Sequence, residues 1–199
     1  MADKKSNQIL LQGKEVFLDE IQPKYFPYVI EWRNNKNLNR YLNHPQDLTL
    51  ESQTWWYEQR YLQDETQGFL VMVDKSNERP FATFGWTDMD LQKNLCIEGR
   101  LLLGDSAYAN SFAFLEGIIL LNDYIYGKVE TVYIHVGVEN KKALRLNKRL
   151  GFIPNDGEIQ FPHELFVNGD KNRPQIEMYR TKEMYQAIRK KLFENVLED

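Results

Sequence analysis

Between Gly68 and Leu103 the chain runs three times through apolar, β-branched or aromatic stretches, FLVMV, PFATFGWT and LCIEGRLLL, broken by the polar segments Lys75–Arg79 and Asp88–Asn94. Connections that short leave consecutive strands no arrangement but an antiparallel meander. The next segment changes period. Phe112 to Tyr126 is apolar almost all round, which predicts a central helix, ended by Gly127. Thr131 to Val136, TVYIHV, reads as a buried strand. A meander followed by strand, helix and strand requires an α/β (α+β) domain with a mixed, mostly antiparallel sheet of about seven strands flanked by helices.

The remaining elements follow from local chemistry. KEVFLDEI, residues 14–21, predicts a short strand, and Pro23 opens a helix over Tyr25–Asn35. Thr49 or Glu51 begins a second helix, while residues 37–45 are turn-like. Gly99 suggests a bulge in its strand. Asn140 is an N-cap for a helix starting at Lys141, Gly151 ends that helix, and Phe152 begins a short strand. Residues 155–175 form a long insertion around the apolar piece Leu165–Val167. Ile176–Tyr179 is the last strand, and Lys182–Leu197 an amphipathic helix. One domain over residues 10–185 with a helical tail over 186–199 is expected, with a frayed start over residues 1–8.

Composition narrows the function classes. A net charge of -4 argues against nucleic acid and anionic membrane as partners. The longest apolar stretch, Phe112–Leu121, falls short of the roughly 18 residues that span a bilayer, and MADKKSNQ is not the start of a signal peptide; a cytoplasmic protein is expected. Cys96 is the single cysteine and reads as a small core residue rather than a nucleophile. His44, His135 and His163 lie far apart without metal-ligand spacing, so no metal is expected.

The segment VYIHVGVENKKALRLNKRLGFI, residues 132–153, resembles the cofactor-side strand and helix of the GNAT superfamily of acyl-CoA N-acyltransferases, with Asn140, Ala143, Leu144, Leu146, Leu150, Gly151 and Phe152 in the family's pattern. EWRNNKNLNRYL (31–42) and IEMYRTKEMY (176–185) are similar to the acceptor-side start and closing strand of the branch that acetylates ribosomal-protein amino termini and amino sugars. RLLLGDSAYANSFAFLEG (100–117) takes the place of the pyrophosphate loop. The resemblance spans about residues 10–185. It implies acetyl-CoA as co-substrate, bound between two parallel strands that splay apart, Leu95–Leu103 and Thr131–Val136. It also implies transfer to a primary amine without a covalent enzyme intermediate, the acceptor being an amino sugar, a protein amino terminus or another small amine.

On this reading Leu101, Leu102, Leu103, Tyr108, Asn110, Ser111, Phe112, Ala113, Asn140 and Ala143 hold the cofactor. Glu98, His135 and Asn147 are the catalytic candidates, Glu98 as general base and His135 as a proton carrier. Trp32, Arg33 and Trp86 face the acceptor, whose positive charge Asp88 and Asp90 would favour. The sequence departs from the family at two places. Asn110 replaces a loop glycine, Ser111 a lysine, and Phe112 and Phe114 two further glycines, although glycine lets a backbone curl around phosphate. Asn147 stands where many relatives carry a tyrosine that protonates the leaving thiolate. These departures suit a second reading, a catalytically inactive scaffold that binds a ligand or a protein. A weak homodimer through residues 155–175 or the C-terminal helix is the assembly expected.

Overall fold

A computed structural model describes residues 8–41, 47–155 and 174–197. The chain begins with β1 (Leu10–Gln12) and β2 (Val16–Glu20), then a 3-10 turn at Pro23–Tyr25 leading into α1 (Phe26–Asn34). A 3-10 turn at Asn39–Tyr41 precedes α2 (Leu50–Gln59), and another at Tyr61–Gln63 follows it. The meander is β3 (Gly68–Asp74), β4 (Pro80–Asp90) and β5 (Leu95–Leu103). After a 3-10 turn at Ser106–Tyr108 come α3 (Phe112–Tyr126), β6 (Thr131–Gly137), α4 (Lys141–Arg149), β7 (Ile153–Pro154), β8 (Gln175–Thr181) and α5 (Lys182–Leu197). The eight strands have the order β1-β2-β3-β4-β5-β6-β8-β7. β5 and β6 are parallel, and the other registers described are antiparallel. The mixed sheet flanked by helices is the architecture expected.

The chain divides into two compact units, Met1–Thr87 with Gly99–Ile125 and Asp88–Glu98 with Tyr126–Asp199, so β4 and β5 each contribute to both. In the first unit β3 is buried on both faces. Phe69, Val71 and Val73 join Tyr25, Phe26, Val29 and Tyr61 in one core. On the opposite face Met72 meets α3 so closely that a Cβ at Gly117 would lie 2.7 Å from its Sδ. Double-sided burial is why β3 reads as an unbroken apolar run. Helix α2 starts at a reciprocal cap: Ser52 N–H donates to Thr49 Oγ1 at 3.1 Å, and Thr49 N–H to Ser52 Oγ at 2.9 Å.

In the second unit β6 pairs with β8 from Thr131↔Thr181 to Gly137↔Gln175. Leu95, Ile97, Tyr133 and Tyr179 pack together on one face.

Four details differ from the sequence reading. β1 is an additional strand. β4 runs on to Asp90 through residues expected in a turn, with Asp88 at φ 53. The left-handed residue in β5 is Arg100, at φ 58, rather than its neighbour Gly99. β8 extends from Gln175 to Thr181. Leu165–Val167, His44 and His163 lie outside the described residues, as do nearly all of 155–175 and residues 1–7, where fraying was expected.

Candidate functional site

In the first unit the candidate cofactor residues gather where β5 runs into α3. Leu102 is buried, with Leu101 and Leu103 half-buried beside it. Gly104 sits under the indole of Trp32, where a Cβ would meet the ring at 2.1 Å. The turn that follows is anchored through Tyr108. Its hydroxyl donates to Asp74 Oδ2 at 2.6 Å, and its ring stacks on Phe81 at 4.1 Å. Hydrogen bonds from Tyr108, and then from Ser76 and Asn77, hold the Asp74 carboxyl below its ordinary range.

Ser111 caps α3. Its Oγ accepts from Phe114 N–H at 3.1 Å and donates to the Tyr108 carbonyl at 3.0 Å. The amides of Phe112 and Ala113 belong to the first turn of α3, whose N–H groups have no acceptor within the helix and stand at its positive end, the arrangement that suits an anion; Ala113 itself is 4% exposed. Phe114, in a glycine's place, turns its ring into the core, and Phe112 is half-buried. Asn110 is exposed.

The acceptor candidates in this unit are more enclosed than their aromatic character suggested. Trp32 is 6% exposed and Trp86 2%, so neither presents a ring face to solvent. Trp86 packs on Gly68 and on Tyr124, 5.4 Å between ring centroids. Its indole N–H is buried without a hydrogen-bond partner. Burial draws the Arg33 guanidinium below its ordinary proton affinity. Arg100 donates to Gln67 Oε1 and lies over the rings of Phe69 and Trp56, at 5.3 and 5.6 Å.

The second unit holds the catalytic candidates. The parallel register ends at Ile97↔Tyr133, while β6 continues to Gly137. The described pairing with β5 thus covers the first three residues of β6, and Ile134 to Gly137 extend past it. Beyond it, Asn140 Oδ1 accepts from Ala143 N–H at 3.1 Å, the expected cap of α4. Ala143 and Asn147 follow one turn apart on the half-buried side of α4.

Glu98 and His135 are separated by strand alternation. Glu98, 4% exposed, faces Arg180, whose Nη2 lies 4.0 Å from Glu98 Oε2. Arg180 is completely buried, donates to the Tyr126 hydroxyl at 3.0 Å and to the Leu150 carbonyl, and lies 4.1 Å over the Phe152 ring. His135 shares its β6 face with Tyr133 and stands opposite Glu177 in the register. Glu177 Oε2 lies 3.5 Å from His135 Nε2, and Asn155 donates to the other carboxylate oxygen. Burial outweighs that neighbour and brings His135 down to about 4, so the imidazole is neutral at pH 7.

Sequence reasoning reached Asn140, Ala143 and the α3 turn because caps and turns are local. It missed Arg180 and Glu177 as partners of Glu98 and His135. The available signal was charge at buried positions of IEMYRT, where an arginine or glutamate needs a partner. Among the described residues no group of three or more His, Cys, Asp or Glu is placed to hold a metal, and no helix is long and apolar enough to cross a membrane.

No family model and no curated protein matches the sequence. Solved structures do match. A spermidine N-acetyltransferase from Vibrio cholerae, in complex with CoA and spermine, shares 17% identity over 87% of this chain and 99% of its own, with a TM-score of 0.70. A nucleotide-linked sugar GNAT, solved in the apo form, shares 16% over 93% and 97%, also at 0.70. A GCN5-related N-acetyltransferase from Brucella melitensis shares 17% over 94% and 87%, at 0.69. At such identities the likeness is one of fold.

Proposed function

We propose that this chain, which has the fold of the GNAT acetyltransferases, transfers an acetyl group from acetyl-CoA to a primary amine by direct attack. The observation that carries the reading is the short parallel register of β5 and β6, described from Leu95↔Thr131 to Ile97↔Tyr133, beyond which β6 runs on to Gly137. The main chain of that continuation of β6 would serve the amides of a pantetheine arm, which need partners of the kind an added strand would use. The pyrophosphate asks for N–H donors, and the first turn of α3 would supply them at Phe112 and Ala113.

Acetyl-CoA supplies an activated thioester, whose acyl carbon forms the new C–N bond as its C–S bond breaks. His135, neutral and held by Glu177, accepts a hydrogen bond from the incoming amine and passes its proton to solvent. Glu98, 4% exposed and 4.0 Å from Arg180 Nη2, is the more enclosed of the carboxylate and imidazole candidates. Asn147 has no proton to give, so the sulfur leaves as thiolate. That is tolerable for a group whose conjugate acid has a pKa of about 8.5. The acceptor remains a choice among an amino sugar, a peptide amino terminus and a small amine.

The enclosed Glu98–Arg180 pair also favours the second reading, a scaffold that binds without turnover. Calorimetric titration with acetyl-CoA, followed by free-thiol detection with spermidine, an amino-sugar nucleotide and an N-terminal peptide, separates the two. Binding with Kd below about 1 mM and thiol release with one amine are expected. Binding without release from any acceptor favours the scaffold, and no binding removes the transferase reading.

A further inference from the structure

The outer face of α4 carries one kind of side chain. Lys141, Lys142, Arg145, Lys148 and Arg149 are its exposed residues, and Ala143, Leu144, Leu146 and Asn147 are the half-buried ones. The five cations follow the helical repeat and form a single stripe. No carboxylate among the described residues pairs with any of them; the one hydrogen bond is from Arg145 Nε to the Lys141 carbonyl.

This arrangement works against the helix that carries it. Lys141 and Lys142 lie at the positive end of the helix dipole, where acidic residues are favoured. Lys141 and Arg145, and Arg145 and Arg149, are like charges four residues apart, which repel. The whole chain is at -4, so subtracting these five positive charges leaves -9 on the rest. Lys148 and Arg149 lie in the last turn, where the dipole favours cations; for Lys141, Lys142 and Arg145 neither local helix stability nor overall composition supplies a reason, and an anionic partner does.

We infer that this face docks an acidic carrier protein whose acyl group rides on a phosphopantetheine arm. The inference rests on the transferase reading, in which the arm lies along the β6 edge. Only Val138, Glu139 and Asn140 separate that edge from the first lysine of the stripe. Nine residues at 1.5 Å each give a stripe about 13 Å long and one helix wide. That suits a short acidic helix, whereas a nucleic-acid duplex carries a charge every ~1.7 Å and would meet the acidic remainder of the chain. A carrier-borne arm also lacks the adenosine and its phosphates. It therefore asks less of a turn that has lost the glycines with which a backbone curls round phosphate.

The test uses the full chain and four probes: a bacterial holo-acyl carrier protein, its apo form without the arm, acetyl-CoA, and a short RNA duplex. Wild type is compared with the variant Lys141→Glu/Lys142→Glu/Arg145→Glu. Those changes place acid where the helix dipole favours it, so circular dichroism should show the fold retained. We expect the holo carrier to bind more tightly than the apo form and to weaken as salt is raised. The variant should lose at least about tenfold in carrier affinity and keep its affinity for acetyl-CoA. A parallel loss for acetyl-CoA would mean that the stripe serves free coenzyme phosphates, and the docking proposal falls. It falls equally if the RNA binds more tightly than the carrier, or if acetyl-CoA binds and the carrier does not, an outcome that leaves the transferase reading intact. Failure of both acetyl-CoA and the holo carrier to bind removes that reading as well.

Discussion

Arg180 is a cation with no exposed surface, held by one carboxylate, one hydroxyl, one carbonyl and the faces of aromatic rings. An ion pair this enclosed adds little net stability, but removing one partner strands the other. Arg180→Met is therefore expected to cost about 3–5 kcal/mol in urea denaturation, and Glu98→Leu in the same chain to recover a large part of it. If the single variant is as stable as wild type, the two charges are not coupled. Asn140 is a simpler case. Asn140→Ala should cost about 0.5–2 kcal/mol through the lost cap, and Asn140→Asp should keep it. Acetyl-CoA titration of the same variants separates cap from cofactor contact, since a pure cap leaves affinity unchanged in Asn140→Asp. Asn140 was legible because its acceptor lies three residues away. Arg180 was not, because its partners arrive from α3, β5 and the end of α4.

At the scale of elements, the first unit contains a latch that no periodicity announces. Glu116, one turn into α3, accepts from the amides of Lys14, Glu15 and Val16 at 2.6, 2.8 and 3.2 Å. Its carboxylate fills the space beside Gly13, where a Cβ would come within 2.6 Å of Cδ. The β1–β2 connection is thus fastened to the helix whose first turn is the candidate anion seat. Gly13→Ala should displace the carboxylate and cost about 1–3 kcal/mol, the penalty for buried groups left unpaired. Hydrogen exchange should locate that loss at residues 14–16; protection unchanged there would show the carboxylate has room to move. Glu116 lies inside the apolar stretch Phe112–Leu121, and its partners are about a hundred residues away in sequence. β1 escaped notice because three residues carry too little alternation. The end of β4 escaped because Asp88 and Asp90 are residue types that strands disfavour. The bulge was placed at Gly99 from glycine's freedom, yet Arg100 takes the left-handed conformation. Its carbonyl accepts from Thr83 Oγ1 at 2.7 Å and its guanidinium rests on two rings, which together hold it.

For the molecule as a whole, the order of strands and helices was readable because each long element declares its own period. The arrangement of charge was not, because it depends on which faces the sheet turns inward. One outcome is a pH response. His135 lies at about 4 in the folded chain, against an ordinary 6.5. Above pH 6.5 both folded and unfolded chains hold it neutral, so it leaves stability unaffected. As pH falls from 6.5 toward 4 the unfolded chain takes up a proton that the folded chain refuses, and stability declines. The ceiling is roughly 3 kcal/mol. Denaturant midpoints across that window should fall more steeply for wild type than for His135→Gln; parallel slopes would place the imidazole in a far more solvated setting.

The lone cysteine has a practical corollary. Cys96 is completely enclosed in β5, and burial, with the carboxylates of Glu98 and Asp88, drives its thiol far above the ordinary range. A thiol-reactive dye added to the native chain should find nothing to label, and colour should develop only as the molecule opens. The protein thus carries its own unfolding reporter. A single cysteine introduced on the exposed side of α4 would be a chemically unique handle, ready for a fluorophore or a crosslinker without editing the native sequence elsewhere.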